Sequence, residues 1–216
     1  MSTPRDDGPP ASAVDPEQAS WESATMAALT EPYLAGGAGP RGSGSSSDAD
    51  GDWRAKRQHL AVPMDSDGRW LDVGCANGHL LATLPAWAAE RGLTIEPHGL
   101  ELSPPLAAVA RSLLPRLADR IWTGSAMSWE PAEPFRYVTA LTEFAPPDRL
   151  GLLVDRLLRF VEPGGRLILS SYTDRDATPR PLVDDLDAAG HRPDGIIHLD
   201  RPGRHPLQTV WFDRTA

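Results

Sequence analysis

The stretch Arg69-Trp70-Leu71-Asp72-Val73-Gly74-Cys75-Ala76-Asn77-Gly78-His79-Leu80-Leu81 constrains this chain more than any other. Trp70 to Val73 reads as a buried strand. A turn punctuated by Gly74 and Gly78 follows, and an apolar-periodic segment begins after it. Strand, glycine turn and helix make the first half of a nucleotide-binding βα unit. Glycine lets backbone approach a ligand where a Cβ would clash, and the helix N-terminus presents unpaired N–H groups. Glu101 stands 23 residues past Gly78, ending a second strand-like run that starts at Ile95. A carboxylate at that point can accept hydrogen bonds from both ribose hydroxyls of a bound adenosine.

Further along, strands and helices alternate. The segment after Gly78 is expected to be helical to about Arg91, with Gly92 as its stop and a kink or second start at Pro85. Ser103 as cap and Pro104 at the first position open a helix in which Leu106, Val109, Ala110, Leu113 and Leu117 recur. A strand from Arg120 to Thr123 leads into Gly124-Ser125-Ala126-Met127. Another, Arg136 to Leu141, leads into Thr142-Glu143-Phe144. Leu150, Leu153, Val154, Leu157 and Val161 form one stripe of a helix starting at Asp148, and a Pro163-Gly164-Gly165 turn precedes the apolar strand that follows. A helix near 181–189 and strands at 195–199 and 208–213 complete the pattern. Such alternation predicts an α/β fold with a parallel sheet covered on both faces.

Ahead of this domain, placed at 61–216, the chain changes character. Residues 1–16 carry almost no large apolar side chains and are expected to be disordered. Residues 17–60 read as a helical lid. A first helix, capped by Asp15 and ended by Pro32, puts Trp21, Thr25, Ala28 and Leu29 on one face. A Gly/Ser-rich stretch at 36–51 reads as a flexible loop, and helical periodicity resumes from Trp53 to Leu60.

Asp72-Val73-Gly74-Cys75-Ala76-Asn77-Gly78, Glu101, and the run Phe160-Val161-Glu162-Pro163-Gly164-Gly165-Arg166-Leu167-Ile168-Leu169 together resemble the class I S-adenosylmethionine-dependent methyltransferases of small-molecule type. The resemblance runs from about residue 70 to the C-terminus. The family's turn is Gly-x-Gly-x-Gly; here Ala76 replaces the middle glycine, a change of one methyl group expected to leave the turn intact. The resemblance implies a Rossmann-like, doubly wound, mostly parallel seven-stranded sheet whose final strand is antiparallel and lies between the fifth and sixth. It implies S-adenosylmethionine as cofactor, contacted by Asp72, Gly74, Cys75, Ala76, Asn77, Gly78, Glu101, Leu102, Ser125, Ala126, Met127 and Thr142. The loop holding Ser125 packs beside the adenine in the family, often with an aspartate at that position. Trp53, Phe144 and Tyr172 are expected on the lid and acceptor side. Glu143 reads either as a solvated acid leading a helix or as a group acting on the acceptor.

Composition narrows the alternatives. A formal charge of −9 argues against a nucleic-acid substrate, whose phosphates demand a basic surface. Cys75 is the sole cysteine, so no intrachain disulfide can form and a cytoplasmic location is expected. It reads as a small packing residue, since no base lies near it in sequence. No run of 18 apolar residues suggests a membrane span, and the six histidines never fall at HxH or HxxxH spacing, so no metal site is expected. With no room for a second recognition domain, the acceptor is expected to be a small molecule or short peptide, on a monomer or homodimer. A nicotinamide-dependent oxidoreductase would need Gly-x-Gly-x-x-Gly, and Ala76 and His79 stand at its second and third glycines. A non-catalytic S-adenosylmethionine-binding protein is the third reading.

Overall fold

A computed structural model describes residues 15–171, 181–200 and 207–215. Most of the N-terminal tail, and Tyr172, lie outside the described residues. The strands are β1 (Gly68–Val73), β2 (Ile95–Glu101), β3 (Ile121–Thr123), β4 (Phe135–Leu141), β5 (Val161–Ser170), β6 (Gly195–Leu199) and β7 (Leu207–Asp213). The helices are α1 (Pro16–Ala35), α2 (Asp50–Arg57), α3 (His79–Ala89), α4 (Pro104–Leu113), α5 (Leu150–Leu158) and α6 (Leu182–Ala188). They build one seven-stranded sheet in the order β3-β2-β1-β4-β5-β7-β6. Only β7 is antiparallel to its neighbours, between β5 and β6. This is the Rossmann-like topology that the motifs implied.

Period-two alternation along the strands sends side chains to opposite faces. Val138 and Ala140 of β4, with Leu167 and Leu169 of β5, pack on Leu153, Val154 and Leu157 of α5. Tyr137 and Ile168, from the same strands, belong to the opposite layer with Leu81, Leu84 and Ala88 of α3. Winding reverses at β1, which pairs with β2 on one side and β4 on the other. In such sheets the crevice beyond the carboxyl ends of the strands at the reversal is where ligands bind.

Several local expectations are corrected. Pro32 does not end α1, which runs to Ala35 before Gly36 donates back to the Pro32 carbonyl at 3.0 Å. Proline lacks a donor, but its carbonyl still accepts, so the last turn survives. Pro85 sits inside α3, which continues through it with no second start. The Pro-Gly-Gly turn is absorbed into β5 as an irregularity, where pairing jumps from Phe135↔Val161 to Tyr137↔Arg166. Gly165 is needed there because a Cβ would stand 2.4 Å from the Arg136 carbonyl oxygen. α5 begins at Leu150, the preceding Pro147–Arg149 forming a 3-10 turn. Among the described residues, no helix is long and apolar enough to cross a membrane, and no group of three or more His, Cys, Asp or Glu could hold a metal ion.

The largest difference lies in the Gly/Ser-rich stretch. Its composition suggests flexibility, but Pro40–Ser43 forms a 3-10 turn seated on the first glycine loop. Asn77 donates to the carbonyls of Gly37 (2.8 Å) and Gly39 (2.9 Å) and accepts from Ser43 Oγ at 2.5 Å. A Cβ on Gly42 would lie 2.1 Å from the Gly37 oxygen and 2.4 Å from Asn77 Nδ2. Small residues here serve close approach.

Candidate functional site

A cavity of about 1080 Å3 opens above the carboxyl ends of β1, β2 and β4, with α1 and α2 across it. Its floor is the turn after β1. Gly74 (φ +76°) and Gly78 (φ +81°) adopt left-handed backbone, and so does Ala76 (φ +50°). A non-glycine residue there costs roughly 1–2 kcal/mol, so the turn keeps its shape at the expense of some strain. It is clasped to β2, with Gly74 N–H donating to the Leu100 carbonyl at 2.7 Å. Gly74 also gives room to Phe144, whose Cζ lies 2.1 Å from where a Cβ would be. Cys75 packs under the turn against Gly99, and burial pushes its thiol well above the ordinary range.

Glu101 ends β2 at 6% exposure. Its Oε2 accepts from Ala76 N–H and its Oε1 from Ser103 N–H, both at 2.8 Å. A carboxylate offers about four acceptor positions, and the backbone N–H groups of Ala76, Ser103 and Leu102 take up part of them. The group is therefore held rigidly, with paired acceptors that a vicinal diol can satisfy. Burial raises its pKa, opposed by the backbone hydrogen bonds of Ser103, Ala76 and Leu102.

At the opposite edge of the turn stand a buried acid and a buried base. Asp72 Oδ1 accepts from Thr139 Oγ1 at 2.9 Å, and that hydroxyl accepts in turn from Trp70 Nε1 at 2.9 Å. Burial pushes Asp72 up to about 7, with Glu101 adding to the rise and Thr139 and Arg57 opposing it. Arg57 is 6% exposed. Burial lowers it to about 10, against the pull of Asp72 and Tyr33, and its guanidinium lies 4.9 Å from the Trp53 ring centre. A cation and an anion on one cavity wall are the complement of an amino-acid zwitterion. Beside them, His59 is buried and held neutral, with a pKa near 4, by burial and then by Arg57.

The third wall follows β4. Thr142–Phe144 is a 3-10 turn tied to α1: Trp21 Nε1 donates to the Glu143 carbonyl and Gln18 Nε2 to the Phe144 carbonyl, both at 3.2 Å. Glu143 Oε1 accepts from Ser171 Oγ at 3.2 Å. Glu143, Asp148 and Asp185 line this end, and the basic lining residues among the described ones, Lys56, Arg57 and His59, come from α2 and the turn after it.

Of the residues singled out from sequence, Asp72, Gly74, Cys75, Ala76, Glu101, Leu102, Ser125, Ala126, Thr142, Glu143, Phe144 and Trp53 line the cavity. Trp53 is 2% exposed and donates to Thr83 Oγ1 at 3.0 Å, a fixed wall on α2. Asn77, Gly78 and Met127 stand off the lining. The Asn77 side chain is consumed by the 37–43 segment, Gly78 faces Ala110 and Leu114, and Met127 N–H donates to Ser125 Oγ. Arg57, His59, Tyr33 and Glu22 were not foreseen. For Arg57 a signal existed, since it lies four residues from Trp53 on the same helical face.

Residues 46–213 match the family model described as "Methyltransferase domain". A curated relative, trans-aconitate 2-methyltransferase from Methylobacterium radiotolerans, is 31% identical over 106 residues, 49% of this chain and 38% of the relative. The chain spans less than half the length of the curated relatives it matches. Among solved structures, the N-methyltransferase NodS from Bradyrhizobium japonicum WM9 in complex with S-adenosyl-l-homocysteine gives a TM-score of 0.58 at 13% identity. The match covers 89% of this chain and 99% of that one. The amino pentose methyltransferase CalS10 from Micromonospora echinaspora, bound to SAM, gives 0.52 at 21% identity, over 81% and 94% of the two chains.

Proposed function

The chain belongs to the class I S-adenosylmethionine-dependent methyltransferases, and from that premise we propose that it transfers a methyl group from S-adenosylmethionine to a small amine-bearing acceptor. The observation that carries the cofactor assignment is the Glu101 carboxylate, fixed at the end of β2 by backbone N–H groups and lining the cavity. The rest of the wall fits the same group. Arg57 suits its carboxylate, Asp72 its ammonium, and Leu102, Ser125 and Ala126 form a slot for its base. An arriving ammonium favours the charged form of Asp72, which burial otherwise holds near neutrality.

When bound, the cofactor supplies a methyl group already activated by its positive sulfur. What remains for the chain is alignment, worth on the order of 7–11 kcal/mol at best. Trp21 and Phe144 exclude water from the reacting end, and the lid bonds from Gln18 and Trp21 fix the turn that carries Glu143. Glu143 orients the acceptor nitrogen and takes the proton it releases as the new N–C bond forms.

The acceptor class follows from the carboxylates beside the turn after β4. Glu143, Asp148 and Asp185 line the cavity there, and a carboxylate can orient an amine and take its proton. The test is incubation with methyl-labelled S-adenosylmethionine and two matched acceptor sets, small amines and polycarboxylates. Label transfer to an amine at least about tenfold faster, 1.4 kcal/mol in barrier, is expected. Faster transfer to trans-aconitate would overturn the acceptor assignment.

A further inference from the structure

The lid helix α1 places one carboxylate inside the cavity. Glu22 Oε1 accepts from Ser125 Oγ at 2.5 Å and from Gln18 Nε2 at 2.9 Å, so it is steered onto the loop after β3. That loop adjoins the ribose corner. Thr123 pairs with Glu101 across β3 and β2, and Gly124 N–H donates to the Glu101 carbonyl at 3.0 Å. A base attached to a ribose held by Glu101 therefore falls between Leu102, Ala126 and Glu22. The first two are apolar. The Ser125 hydroxyl directs its proton to Glu22 while its oxygen accepts from Met127 N–H at 3.0 Å. Glu22 thus supplies the slot's carboxylate acceptor, and both of its bonds fall on Oε1, leaving Oε2 to accept among the described residues.

We propose that Glu22 reads the exocyclic amine of the cofactor's adenine, so that base recognition is carried by the lid and not by the loop after β3. The inference rests on the cofactor reading above. It follows that a base with an acceptor in place of the amine would face the Glu22 carboxylate oxygen to oxygen. The same contact ties α1 to the loop after β3, as Thr30 ties it to Ser103 at 2.9 Å at the start of α4.

The experiment is calorimetric titration of wild type, Glu22→Gln and Glu22→Ala with S-adenosylhomocysteine and with its 6-oxo analogue, S-inosylhomocysteine. Wild type is expected to prefer the 6-amino ligand by at least about tenfold, the size of one buried hydrogen bond made or missed. In Glu22→Gln the amide can donate to the 6-oxo group, so the preference should shrink to within about threefold, partly by tighter binding of the analogue. That gain of affinity cannot arise from misfolding. Equal losses for both ligands in both variants would make Glu22 a latch only and overturn the inference, as would an unchanged preference. Wild type binding neither ligand would overturn the cofactor reading itself, a result distinct from either.

Discussion

Glu101→Ala should weaken S-adenosylhomocysteine binding by about 2–4 kcal/mol, roughly 30- to 1000-fold, if the carboxylate holds both ribose hydroxyls. The size follows from the way the group is mounted. Backbone N–H groups of Ala76 and Ser103 fix its two oxygens before any ligand arrives, so little ordering entropy is lost on binding. Removing it also strands those N–H groups in a buried corner, at about 1–3 kcal/mol for each left unpaired. Part of the loss will therefore appear as a lower melting temperature. Glu101→Gln separates the two effects, since it fills the same space and keeps one acceptor oxygen. Its affinity should fall between those of wild type and Glu101→Ala. Unchanged affinity in the alanine variant would remove the ribose assignment.

Glu143→Gln should leave cofactor affinity unchanged while lowering turnover at least about tenfold, 1.4 kcal/mol of barrier. Glu143 lines the cavity on a turn that Trp21 and Gln18 pin to α1, and its carboxylate accepts from Ser171. Phe144 beside it lowers the local dielectric and strengthens whatever charge interaction the carboxylate makes. Glutamine preserves shape and the Ser171 bond but can neither take a proton nor attract a cation. Rates measured at saturating cofactor report the acceptor step. Wild-type turnover would make Glu143 a partly solvated acid leading into α5 and leave alignment as the whole of the mechanism.

What could be read in the sequence was what is local. The glycine turn, Glu101 and the alternation of strands and helices each depend on neighbours in sequence, and the family they resemble implied the seven-stranded topology. Contacts between distant segments could not be read in this way. Asn77 sits inside the glycine motif, where the resemblance implies a cofactor contact, and its side-chain amide donates to Gly37 and Gly39, about 40 residues earlier. For the same reason the composition of the 36–51 stretch suggests a flexible loop and does not reveal its contacts with Asn77. Its glycines are there because backbone passes over backbone, which composition cannot distinguish from freedom. Glu22 and Ser125 are 103 positions apart, and neither carries a mark of the other. Pro32 and Pro85 misled differently. Each removes one donor, and the neighbouring turns hold without it.

The most direct test of the cofactor assignment is a titration of the wild-type chain with S-adenosylhomocysteine and, separately, with NADH. The buried carboxylate at Glu101, the Arg57 and Asp72 pair and the departure from the dinucleotide glycine pattern at Ala76 and His79 predict one micromolar site per chain, about −8 kcal/mol, for the first ligand and none for the second. Saturable NADH binding with no response to S-adenosylhomocysteine would contradict it.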